Sequence, residues 1–288
     1  MPAANIAAHR RCLLVLLVLL VLLGLAPAAR AQGAAEGLSE SLHAIRLARG
    51  VDLNVLISRR TGSGDGADVA VLLFPGYPGV LRLREEAGAV VFDLNGNFLI
   101  RARRHLNSER VFTVAVDCPV DQWTDCGDAY RASSRHVADI ADVVAAVREK
   151  HGARQVYIVG TSYGTVSTSF LALGLEGRID GAVHTATFTD PRPGARAHGV
   201  PMAGFDWSRA KVPQLFVHHR EDPCGVTRHS SVAARRRGIP LITVEGAINP
   251  RGDACAAFTA HGFVGREQQV MRAIHDWIIE RRIAAVVD

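Results

Sequence analysis

The sequence predicts an α/β fold, a mostly parallel central sheet flanked by helices. Short runs of apolar and β-branched residues recur between residues 40 and 288, as strands covered on both faces require. Segments with helical three- and four-residue spacing lie between them, the alternation expected of a parallel sheet. Hydrophobic residues make up 48% of the 288 and charged residues 21%, enough to fill a large core and too apolar for a disordered chain.

Taken in order, the first predicted strand is Val51–Ser58, followed by a turn in the glycine-rich run Gly62-Ser63-Gly64-Asp65-Gly66. Val69–Phe74 (VAVLLF) and Val111–Val116 (VFTVAV) are the next strands. Val137, Ile140, Ala141, Val144 and Val147 form one face of a helix that Gly152 ends. Gln155–Val159, Ala182–Phe188, Gln214–Val217 and Pro240–Val244 complete the strands, with a helical run through Phe170, Leu171 and Leu173 after the first of these. Val270, Ile274, Trp277, Ile278 and Ile283 mark a last helix.

Residues 1–31 read as a secretory leader. Arg10-Arg11 precedes the apolar run Leu13–Leu25, and Ala29-Arg30-Ala31 supplies a small-x-small cleavage site. The alternative is an uncleaved anchor, but thirteen helical residues reach only ~20 Å of a ~30 Å hydrocarbon core. Cleavage after Ala31 leaves residues 32–288 as a single domain with no stable membrane anchor. It also removes three arginines and no acid, lowering the net charge from +5 to +2. With 6% aromatic residues and no basic patch interleaved with them, the composition gives no support for nucleic-acid binding.

The most informative segment is Gly160-Thr161-Ser162-Tyr163-Gly164, a G-x-S-x-G pattern between a predicted strand and a predicted helix. A serine on so sharp a turn stands above the sheet edge, with a helix N-terminus aimed at it. Gly160 and Gly164 are needed where a side chain would collide with neighbouring backbone. On these residues, and on the segments Asp253-Ala254-Cys255 and His261–Glu267, the chain resembles the α/β-hydrolase superfamily over roughly residues 50–288. The likeness is to exported bacterial serine hydrolases with a short cap. It implies the α/β-hydrolase fold and a serine nucleophile, and it carries no particular substrate.

A serine nucleophile needs a general base and the base an orienting carboxylate, which this superfamily supplies in the chain order Ser, acid, His. Asp222 follows the strand Gln214–Val217 in an H-x-x-D-x-C context that matches the family likeness. Asp190 is the rival acid, after the preceding strand. His261, in a loop before the last helix, is the candidate base; His229 and His275 lie on helical segments. The oxyanion hole calls for the backbone N–H of Tyr163, after the nucleophile, and that of Tyr77 in the loop Phe74-Pro75-Gly76-Tyr77-Pro78-Gly79. Adjacent His218 and His219 face opposite ways on a strand, and no H-E-x-x-H set is present, so neither a metal nor another cofactor is expected.

Cys118, Cys126, Cys224 and Cys255 remain after the leader. An even number in an exported chain implies two disulfides with three possible pairings. Cys118–Cys126 and Cys224–Cys255 are favoured, the second because it ties the acid loop to the base loop. The loop 119–125, with Asp121 and Trp123, either lines the substrate groove or is simply a stapled loop. Residues 189–213 are the whole allowance for a cap and cover a site thinly. The reading is an exported serine hydrolase, periplasmic or secreted, acting on a small-molecule or polymeric carboxylic ester. A peptidase or amidase of the same fold is the alternative enzyme, and a non-catalytic binding protein the alternative of another class.

Overall fold

Residue alternation within doubly buried strands organises the core. The computed structural model describes residues 35–63, 66–189 and 199–288; the expected leader, Asp190, and Pro191, Pro193 and Gly194 of the cap lie outside them. The described strands are β1 (Leu38–Arg46), β2 (Asp52–Arg60), β3 (Val69–Phe74), β4 (Arg84–Glu86), β5 (Ala89–Val91), β6 (Val111–Val116), β7 (Gln155–Thr161), β8 (Gly181–Thr185), β9 (Gln214–His219), β10 (Leu241–Val244) and β11 (Val286–Val287). All six residues of β3 are buried. Ala70, Leu72 and Phe74 enter one hydrophobic cluster, while Val69, Val71 and Leu73 enter another on the opposite face.

Nine of the strands form one sheet in the order β1-β2-β6-β3-β7-β8-β9-β10-β11. β1, β2 and β6 pair antiparallel, and every pairing from β6 onward is parallel. The helices are α1 (Phe98–Ala102), α2 (Asp128–Arg131), α3 (Ser134–His151), α4 (Gly164–Gly174), α5 (His229–Arg235) and α6 (Glu267–Glu280). α3 and α4 cover one face, with Ile140, Val143, Val144 and Val147 packed against Leu171, Ala172 and the even positions of β3. α1 and α6 cover the other, through Phe98, Leu99, Val270, Met271, Ile274 and Trp277. Truncating a leucine, isoleucine, methionine or aromatic among these to alanine carries the usual core penalty of ~2–5 kcal/mol.

The ends of α3 follow from its sequence. Ser133 accepts from His136 N at 3.1 Å at the start, and Gly152 at φ +73 closes the end. Three expectations are corrected and two features are added. β1 and the β4–β5 hairpin were not foreseen. The strand expected over Ala182–Phe188 stops at Thr185, because Ala186 takes φ +43 and turns the chain. Ile283 lies beyond α6, which ends where Arg281 adopts φ +56, and its side chain is exposed. Pro240–Val244 is not the last strand, since β11 follows α6 and pairs with β10.

Candidate active site

Ser162 stands at the carboxyl end of β7 with φ +51. A non-glycine residue there is strained by ~1–3 kcal/mol, and the surrounding hydrogen bonds hold it. Ser162 N donates to Thr185 O at 2.9 Å, and Ser162 O accepts from Thr165 N at 2.9 Å and Thr165 Oγ1 at 2.6 Å. The two glycines of the motif are required by close approach. A Cβ on Gly160 would stand 2.7 Å from Gly164 O, and one on Gly164 only 2.1 Å from Phe74 O. The turn thus folds tightly onto the end of β3.

Asp222 and His261 come together across 39 residues. His261 Nδ1 lies 3.1 Å from Asp222 Oδ2 and 3.2 Å from Oδ1, and both side chains are buried. Asp222 Oδ1 also accepts from Cys224 N at 2.9 Å. One member of this cluster was not anticipated from sequence. Thr227, fully buried, places its hydroxyl 2.9 Å from Asp222 Oδ2 and 3.1 Å from His261 Nδ1. A hydroxyl has one proton to give; donated to the carboxylate, it leaves the oxygen as an acceptor facing Nδ1–H. Its signal in the sequence is faint: a threonine five residues after the acid.

His261 sits on a single 3-10 turn, Ala260–Gly262, whose start is capped by Thr259 Oγ1 accepting from His261 N at 3.1 Å. His229 and His275 are elsewhere, bonded to Thr243 Oγ1 and Ser108 Oγ. The adjacent pair uses one ring nitrogen each: His218 Nε2 accepts from Thr187 N at 2.8 Å and His219 Nδ1 from Glu221 N at 3.1 Å, while His218 Nδ1 and His219 Nε2 have no hydrogen-bond partner among the described residues. Burial pushes the His218 ring down to about 3, so it stays neutral behind the acid loop.

Ser162, His261, Tyr77 and Gly76 line one cavity of about 730 Å³ at the carboxyl edge of the sheet. Leu94, Phe98, Phe188, Val226, Ala256 and the Cys224–Cys255 pair supply much of its wall. No hydrogen bond joins Ser162 to His261, as is common before a substrate tightens such a constellation. Tyr77 is half exposed at the rim, 47%, and its ring meets that of Tyr163 edge-on at 5.9 Å. Behind this loop Arg131 is buried. It donates to Ser167 Oγ at 2.8 Å, Cys126 O at 2.8 Å and Gly79 O at 3.2 Å, with its guanidinium 4.9 Å from the Tyr163 ring. Burial lowers its pKa from the usual arginine value. Asp117 fixes the continuation of the loop, accepting from Leu81 N, Leu83 N and Cys118 N, each at 2.8 Å.

Cys118 bonds Cys126, and Cys224 bonds Cys255. The loop closed by the first does not line the cavity: Trp123 Nε1 donates to Cys118 O at 3.0 Å, and Asp121 pairs with Arg49 at 2.8 Å and with Arg135. The described part of the cap, from Gly199 onward, does not roof the cavity either. Met202 and Trp207 turn inward, where Trp207 Nε1 donates to Ser169 Oγ at 3.0 Å.

A family profile described as the alpha/beta hydrolase fold matches residues 69–223, more than half of the chain, and the chain belongs to this family. Solved structures similar to it include Est1E from Butyrivibrio proteoclasticus, at 15% identity and a TM-score of 0.57 over 83% of this chain and 98% of that one. XC6422 from Xanthomonas campestris, described as an a/b serine hydrolase without lid, is 14% identical, with a TM-score of 0.55 over 84% and 94%. A putative dienelactone hydrolase from Klebsiella pneumoniae is 13% identical, with a TM-score of 0.53 over 84% and 99%. At these identities the likeness is one of fold. No curated protein matches the chain in sequence.

Proposed function

We propose that the protein is an exported serine hydrolase that cleaves carboxylic esters through a covalent acyl-enzyme. The observation that carries this reading is a strained Ser162 opening into the same cavity as the buried His261–Asp222 pair. Family membership supports hydrolase chemistry in general. Asp222 holds the proton on His261 Nδ1, which leaves Nε2 as the base. Ser162 Oγ attacks the carbonyl carbon as its proton passes to Nε2, and the C=O electron pair moves onto oxygen. The backbone N–H groups of Tyr77 and Tyr163 receive that oxyanion. Collapse expels the alcohol, protonated by His261, and water repeats the sequence to release the acid.

An ester is favoured because an alkoxide leaves more readily than an amine and the apolar wall suits an uncharged acyl group. The described part of the cap does not line the cavity, which suits a bulky or polymeric substrate. Two disulfides agree with export, and among the described residues no helix is long and apolar enough to cross a membrane. In this reading residues 32–288 are one domain freed by cleavage after Ala31, which N-terminal sequencing of exported material tests. A fluorophosphonate should label the purified chain once, at Ser162, with labelling abolished in Ser162→Ala. An ester and amide panel of graded acyl length then separates esterase from peptidase. A folded sample that takes no label and turns over no ester rejects the assignment.

A further inference from the structure

Asn97 shares the cavity with Ser162 and His261, yet the chemistry above does not use it. Its orientation is set by the rest of its own bonds. Asn97 Oδ1 accepts from Leu99 N at 3.1 Å and so caps α1; Asn97 N donates to Leu94 O at 2.8 Å, and Asn97 O accepts from Arg101 N at 2.9 Å. Only an oxygen can cap a backbone N–H, so the assignment of O and N in this amide follows from the cap. Nδ2 is the group left over, and it has no hydrogen-bond partner among the described residues.

Its position follows from Gly76. A Cβ built on Gly76 would stand 3.3 Å from Asn97 Nδ2 and 3.2 Å from Ser162 Cβ. The amide, the nucleophile and the residue before Tyr77 therefore converge on one small space. The loop that presents Asn97 is fixed in shape. Leu94 is held at φ +59 with the cavity on one side, and a Cβ on Gly96 would press on the Phe258 ring at 3.1 Å. A donor held in place before the reaction costs no reorganisation when charge appears.

We infer that Asn97 Nδ2 donates a hydrogen bond to the oxyanion of the tetrahedral intermediate, a side-chain donor beside the backbone donors of Tyr77 and Tyr163. This rests on the proposed hydrolase reading. The amide proton stays on nitrogen throughout; the bond strengthens as the carbonyl oxygen gains the electron pair displaced by Ser162. The contribution therefore falls on turnover more than on substrate binding.

Two substitutions test it with the cap retained. Asn97→Ser keeps an oxygen at the helix start, and Asn97→Asp keeps both size and cap; each removes the N–H. We expect kcat toward a soluble aryl ester to fall on the order of 100- to 1,000-fold in Asn97→Ser and further in Asn97→Asp, with KM within about threefold. Affinity for a trifluoromethyl ketone, which forms the same oxyanion on Ser162, should fall in parallel with kcat/KM. Unchanged kcat and ketone affinity in both folded variants, or a rise in KM alone, would overturn the inference while leaving the hydrolase reading intact. Failure of the unmodified protein to take a fluorophosphonate at Ser162 would instead remove the reading, and the inference with it.

Discussion

Valine in place of Thr227 takes one oxygen away from the buried Asp222–His261 pair and alters the local volume little. Thr227 Oγ1 lies 2.9 Å from Asp222 Oδ2 and is fully buried, so no solvent replaces it. A hydrogen bond to a charged group is worth ~1.5–3 kcal/mol, and each ~1.36 kcal/mol is tenfold in rate. If the carboxylate's hold on His261 passes that loss to the transition state, kcat/KM falls roughly 10- to 100-fold. The upper bound is not reached, because Asp222 keeps Cys224 N at 2.9 Å and His261 Nδ1 at 3.1 Å. Steady-state hydrolysis of an aryl ester by Thr227→Val and Thr227→Ser is the assay. In the proposed mechanism Thr227 only positions the Asp222–His261 pair, so the loss should appear in kcat with KM little changed, and serine should restore most of it. Full activity in the valine variant, or a serine variant as impaired as valine, refutes the reasoning.

The Cys224–Cys255 bond closes a separation of 31 residues, worth roughly 4 kcal/mol in the chain-entropy account. Replacing both cysteines with serine should lower the unfolding midpoint and also activity below it, since both sulfurs belong to the cavity wall; an unchanged midpoint and rate would contradict this. Burial pushes His136 and His218 down to about 3 and His184 to about 4. The unfolded chain protonates its histidines near ~6.5, so it binds more protons between the two limits. The stability these groups leave intact above that value is lost as pH falls, by up to ~1.4 kcal/mol per unit and per histidine. Urea titrations from pH 7 to 4.5 should reveal it, with a shallower slope for His136→Phe, since the His136 ring nitrogens have no partner among the described residues; an equal slope would exonerate His136. Gly164→Ala, with its Cβ 2.1 Å from Phe74 O, should cost more than ~3 kcal/mol, and a near-native midpoint by circular dichroism would show that the elbow yields.

Legibility followed burial. β3 and β6 were readable because every residue is apolar or β-branched and covered on both faces. β1 was not, because Leu38 and Ile45 are its only buried residues and the alternation that starts at Leu38 loses its phase at Leu42–His43. The elbow could be read because close packing admits only glycine at two fixed positions. Asp222 and His261 could be proposed from chain order, and the structure brings their side chains together. Thr227 and Asn97 are not legible in the sequence for one reason: a threonine in a turn and an asparagine before a helix are ordinary local choices. Only the chain's return across 34 residues to His261, or the approach of Gly76 to the amide, gives them a chemical setting.

Pairing in β3 runs from Val69, opposite Val111 and Gln155, to Phe74, opposite Gly160. β2 runs the other way along β6 and delivers the chain to Thr61 beside the starting end of these strands. The turn after Arg60 and Ser162 therefore occupy opposite poles of the sheet, separated along the strand direction by about 20 Å, the span of a six-residue strand. That polarity makes the turn at Thr61–Ser63 a natural handle. A protein coupled to a solid support through this turn would present its cavity to the bulk, whereas coupling near Tyr77 would press the opening against the support. Immobilised material of the two kinds should differ in accessible activity even with equal loading, and the difference should grow with the size of the ester.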